Sequence, residues 1–182
     1  MKKILIGIVA FILFCAIPFS VAALVVAPRW AMVEVLNVWS VTSNKKMTYS
    51  GTTKYSSQVT TAVGKWNGHI SGVISKKSSG AGNVVISDVS VIGGNTAGRT
   101  TFKSGTGRKN STVVFATTVM DSATAIQRAV AVTHEFGHTL GLAESTMGTL
   151  CVMHPNAAQT TSNNNLCNAD RANYTYMYNN KY

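Results

Sequence analysis

The residues most able to do chemistry are His134, Glu135 and His138, which stand together as His134-Glu135-Phe136-Gly137-His138. On a helix, residues i and i+4 share a face, so both imidazoles can reach one ion. Glu135 is the next residue round, close enough to touch a water on that ion without binding the ion itself. Zinc held by two His and a third side chain keeps one position open for such a water. The ion lowers the water's pKa and polarises a carbonyl, while a carboxylate takes and returns the proton. The bland alternative is an amphipathic helix that carries these residues by chance. Against it, Asp and Glu number only 6 and His only 4, yet Glu135 and Glu144 fall within one short stretch from His134, and three histidines lie between 134 and 154.

These side chains need a helix to carry them and a sheet to pack it. Asp121-Ser122 supplies good N-cap residues, and the pattern predicts a helix from there to about Leu140. Gly141 is placed as its left-handed stop. Upstream, Met47-Thr48-Tyr49 reads as a short strand. Val59, Ala62, Val63 and Trp66 then fall at i, i+3, i+4 and i+7, the apolar stripe of a first helix that Gly68 would end. Runs at 72–75, 83–91, 99–103 and 111–118 are rich in Val, Ile and Thr and predict strands, with Gly- and Ser-rich loops at 78–82, 92–98 and 104–111. Residues 169–178 read as a short terminal helix. That order implies a single α/β or α+β domain with one main sheet, without repeats or linkers.

The helix motif is the HExxH arrangement of zinc peptidases, and it extends further. His134 to Glu144 reads HEFGHTLGLAE, followed by Cys151-Val152-Met153-His154-Pro155. Together these resemble the metzincin clan, whose long motif HExxHxxGxxH precedes a Met-turn. The matrixin branch is the most similar. Met47-Thr48-Tyr49 looks like its first-strand motif, the helix ending near Trp66 like its first helix, and Leu166-Cys167-Asn168-Ala169-Asp170 like its C-terminal helix signature. The resemblance spans roughly residues 39–178. It implies a metzincin-like zincin domain: one twisted mixed sheet, two long helices and a short C-terminal helix. It also implies His134 and His138 as ligands of one catalytic zinc, Glu135 as general base, Met153 as an apolar floor and Asp170 as a tether between the last helix and the Met-turn.

Three departures bear on that reading. Glu144 stands where the family places His or, in some branches, Asp. Glu144 as the third ligand, Glu144 in solvent with water completing the site, and His154 as ligand all stay open; Asp170 in that role would look like a different clan. Structural calcium is in question, because Asp88 and Asp121 are the only acids between Glu34 and Glu135. The cleaved chain is expected to carry neither an inhibitory propeptide nor a cysteine switch.

Residues 1–22 read as a secretory signal peptide: Lys2 and Lys3 precede an apolar run, and Ser20-Val21-Ala22 offers a small-x-small site. An uncleaved anchor is the competing reading. Cleavage leaves a catalytic domain over 23–182, with 14 basic residues against 6 acidic ones, a net of +8. It also leaves Cys151 and Cys167, an even count in an oxidising compartment; they form a disulfide or remain two buried thiols. Apolar residues reach 46% and charged residues only 12%, which excludes disorder and coiled coil. The basic residues are dispersed in pairs, which argues against nucleic acid and for a solvated surface or weak attraction to anionic cell-envelope polymers. His69 reads as a surface histidine, and Tyr174, Tyr176 and Tyr178 as packing residues. The function expected is a secreted, monomeric zinc endopeptidase, either free outside the cell or associated with the cell envelope, whose protein or peptide substrate lies extended along an edge strand. Two alternatives compete: a secreted binding module with a degenerate zinc site, and a cationic envelope-binding protein whose zinc is structural.

Overall fold

The computed structural model describes residues 33–160 and 164–182. The signal peptide expected at 1–22 lies outside them. None of the helices among the described residues is long and apolar enough to cross a membrane.

The sheet forms from the Val-, Ile- and Thr-rich runs. Strands β2 (Met47–Gly51), β3 (Ile74–Lys76), β4 (Val84–Val89), β5 (Gly98–Phe102) and β7 (Ser111–Ala116) pair in the order β3-β2-β4-β7-β5. All neighbours are parallel except β5, which runs antiparallel to β7 and forms one edge. Alternation decides the covered face: Met47, Tyr49, Val84, Ile86, Val113 and Phe115 are buried, while Val85 and Thr112 between them face solvent.

Helices α1 (Ser56–His69) and α3 (Ala125–Thr139) pack on each other and on that buried face. Tyr49 meets Phe136 edge-on with ring centroids 5.7 Å apart, and Tyr55 meets Phe115 at 6.1 Å. Trp66 is fully buried between the helices and donates from Nε1 to the Thr133 carbonyl at 3.0 Å. Its ring stands against Tyr174 of α5 (Asn168–Asn180) at 5.5 Å. The fold is thus mixed α/β with a five-stranded mixed sheet, as expected. The terminal helix has 13 residues, nearly as long as α1 with 14, so it is not short.

Other departures have local causes. Helix α1 continues through Gly68 and stops at the extended Ile70. Helix α3 starts at Ala125 rather than near Asp121, capped by Thr124, whose side chain and that of Gln127 make a reciprocal capping box. Asp121 is diverted to Tyr55 Oη at 2.8 Å and Lys54 Nζ at 2.6 Å, and Thr117–Met120 form a separate helical turn, α2. A two-residue parallel pairing of β1 (Val38–Trp39) with β6 (Gly107–Arg108) lies partly inside a segment that reads as loop. A single turn, α4 (Ala157–Thr160), interrupts the polar stretch after Met153.

Candidate metal centre and cleft

The last turns of α3 place His134 and His138 on one face, as their spacing requires. Gly141, at φ +83°, turns the chain back; a Cβ there would also come within 2.4 Å of Met177 Cε. The segment after the turn is held from outside the helix. Val35 bridges antiparallel to Leu142, the Leu36 amide donates to the Gly141 carbonyl at 2.7 Å, and the Ala143 amide donates to the Glu34 carbonyl at 3.1 Å. Glu34 Oε1 also accepts from the Thr146 amide and hydroxyl. Glu144 is thereby brought back over α3.

There it joins the two imidazoles. Glu144 Oε1 stands 3.3 Å from His134 Nε2 and 3.4 Å from His138 Nε2, and the two Nε2 atoms are 3.0 Å apart. Both tautomers follow from the other ring nitrogen. His134 Nδ1 lies 2.8 Å from the Val152 carbonyl and His138 Nδ1 lies 2.9 Å from the Leu142 carbonyl. A carbonyl only accepts, so each Nδ1 carries its proton and each Nε2 lone pair points at the shared centre. Two lone pairs and a carboxylate that face one point require a positive charge between them.

The electrostatics agree. Burial is the largest influence on His134 and disfavours its charged form, yet Glu144 and Glu135 outweigh it and leave its pKa raised. Burial likewise opposes ionisation of Glu144, but the two imidazoles outweigh it and hold its carboxyl at about 2. A metal ion satisfies the same demand as a proton. Donors around a tetrahedral ion at 2.0–2.1 Å stand roughly 3.3 Å apart, which matches the triangle of 3.0, 3.3 and 3.4 Å. His134, His138 and Glu144 therefore form a possible metal-binding group. His154 is not part of it.

Glu135 is buried, 7% exposed, and its Oε2 accepts from the Thr100 hydroxyl of β5 at 2.7 Å. It lines a cavity of about 290 Å³ together with His134, Glu144, Gly98, Ala131 and His154. The His154 imidazole accepts at Nδ1 from the Asn156 amide at 3.1 Å. Met153 is fully buried, and a Cβ on Gly137 would come within 2.2 Å of its Sδ. The closeness of that turn to α3 therefore depends on Gly137 lacking a side chain.

The turn itself is fixed by Asp170, whose carboxylate accepts from the amides of Val152, Met153 and Cys167 at 2.9, 3.2 and 3.0 Å. Burial pushes the Asp170 pKa up while those amides oppose the shift. Cys151 and Cys167 are disulfide-bonded, with Cα atoms 5.0 Å apart. Asp170 lies beside them, away from the donor triangle. His69 is not a bare surface residue: its Nε2 is 3.0 Å from the Arg171 carbonyl and 2.9 Å from Thr175 Oγ1, docking α1 on α5. Tyr174 is fully buried in the core, and Tyr176 and Tyr178 pack against it.

Sequence reasoning did not find Thr100, Gly98, Glu34 or the two carbonyls that orient the imidazoles. Each acts through a contact between segments far apart in the chain, for which a local pattern carries no signal. No protein-family model and no curated protein matches the sequence.

Proposed function

We propose that this chain is a secreted zinc endopeptidase of metzincin type, most similar to the matrixin catalytic domains. The observation that carries the reading is the convergence of His134 Nε2, His138 Nε2 and Glu144 Oε1 beside a cleft that Glu135 lines. Two imidazoles and one carboxylate are a donor set that zinc accepts in catalytic sites, and three protein donors leave a position open. Zinc bound there supplies a Lewis acid that polarises a carbonyl and eases the deprotonation of water.

The chain's own residues account for the rest. His134 and His138 are locked in the Nδ1–H form by Val152 and Leu142, so their lone pairs need no reorganisation. Glu135 takes a proton from the attacking water and delivers it to the leaving amine, which a carboxylate at the cavity wall can do without binding the metal. The edge strand β5 borders the same cavity at Gly98, and an extended peptide would add to its unpaired side as a further strand. The substrate is an unfolded or extended protein segment.

The test is cleavage of a generic unfolded protein by the purified chain. Activity should disappear with a chelator and return with stoichiometric zinc. A protein that holds zinc at His134, His138 and Glu144 but cleaves nothing is instead a binding module with a structural ion.

A further inference from the structure

Strand β5 is shaped around the carboxylate of Glu135. Thr100 Oγ1 lies 2.7 Å from Glu135 Oε2 and 3.0 Å from the Glu135 backbone carbonyl. Both neighbours are acceptors, and the single hydroxyl proton of Thr100 goes to the nearer of them, Oε2. Two residues earlier on the same face of the strand stands Gly98. A Cβ at that position would come within 2.7 Å of Glu135 Cγ and 3.1 Å of Oε1. One residue thus grips Oε2, and the other leaves room for the side chain and Oε1. Glu135 is buried, so bulk water does little to orient it.

We propose that Thr100 is a positioning residue for the proton-transfer group, and that Oε1 is the oxygen that carries the proton. The inference rests on the peptidase reading above. With Oε2 occupied by the Thr100 hydroxyl, the proton removed from water is received at Oε1, which sits against Gly98 at the cavity wall. The same Oε1–H then gives that proton to the nitrogen of the departing amine as its bond to carbon breaks. Oε2 accepts from Thr100 throughout, so the carboxyl does not have to rotate between the two transfers. The contribution is the fixed orientation of the carboxyl group.

The experiment compares Thr100→Val and Thr100→Ser with the parent chain, all loaded with zinc. Valine keeps the branched shape and β-propensity but removes the hydroxyl; serine restores the hydroxyl alone. The expected result for T100V is a fall in kcat of about tenfold to a hundredfold, since small misplacements of a reacting group cost on that order. KM and the zinc dissociation constant, measured by competition with a chromogenic chelator, should stay within about twofold of the parent. T100S should recover most of the lost kcat. An active parent with an undiminished T100V overturns the role of Thr100 alone. So does a T100S as impaired as T100V, or a loss of zinc affinity that tracks the loss of kcat, because either marks a structural role. A zinc-loaded parent that cleaves nothing overturns the peptidase reading itself.

Discussion

With Glu144 as the third donor, the group carries one negative charge that three imidazoles would lack. A divalent ion held there keeps less of its own charge and polarises a carbonyl less strongly. Glu144→His should therefore retain zinc and raise turnover. Glu144→Ala should weaken zinc binding by more than about a hundredfold, the upper range for losing a mere supporting contact. His154→Ala should leave the affinity unchanged, because His154 lies outside the donor group. A competition titration decides it: zinc held as tightly by Glu144→Ala as by the parent contradicts the assignment. Glu135→Gln keeps every donor and removes only the proton carrier, so it should bind zinc normally and lose about 10²–10⁴-fold in turnover. Acid acts on the donors themselves. Protons and metal compete for the two Nε2 lone pairs, and the raised pKa of His134 moves that competition to higher pH. Zinc affinity should fall as pH drops through the imidazole range, with the loss already under way above the ordinary His value of 6.5.

At the scale of elements, α3 is the part most legible in the sequence, because its face is set by a period that local residues reveal. Its end is legible too: Gly141 has the positive φ its position predicted. Its start is less so. Asp121-Ser122 has the better-looking cap, but Asp121 is engaged by Tyr55 and Lys54 from a segment far away, and the chain waits for Thr124 and Gln127. Strands β1 and β6 have two residues each, too few to alternate, and exist only because they meet. The grip of Thr100 on Glu135 has the same origin: it depends on where β5 lies against α3, and that follows from pairing with β7. The turn at Gly141 gives the element-scale prediction. Gly141→Ala forces an alanine into the left-handed region and a Cβ toward Met177 Cε at 2.4 Å. Together these should destabilise the protein by about 1–3 kcal/mol. They should also lower zinc affinity, since Glu144 follows directly from that turn. Thermal unfolding and the zinc titration should both move; an effect on stability alone would detach the turn from the metal group.

Over the whole molecule, the scarcity of acids becomes intelligible once each is located. Asp88 accepts from Thr53 and the Lys54 amide, Asp121 from Tyr55 and Lys54, and Glu34 from Thr146. Asp170 secures the turn at Met153, and Glu135 and Glu144 serve the cleft. Every acid thus either accepts hydrogen bonds that hold segments together or lines the cleft.

The same economy makes the segment between the two cysteines unusually consequential. It supplies the Val152 carbonyl that orients His134, the Met153 side chain beneath α3, and the cavity wall at His154. The Cys151–Cys167 bond closes it over a separation of 16 residues, and Asp170 pins it at Val152, Met153 and Cys167. Replacing both cysteines by serine should therefore cost about 3 kcal/mol, the chain-entropy value for a loop of that size. The metal group should suffer as well: a looser Val152 carbonyl should reduce zinc affinity by about 10–100-fold, as for other contacts that orient a ligating imidazole. Unfolding curves of the zinc-free variant and parent measure the first effect, and zinc titration of the folded variant measures the second. If the double variant unfolds with the parent and binds zinc equally well, Asp170 alone holds the segment in place and the disulfide is dispensable.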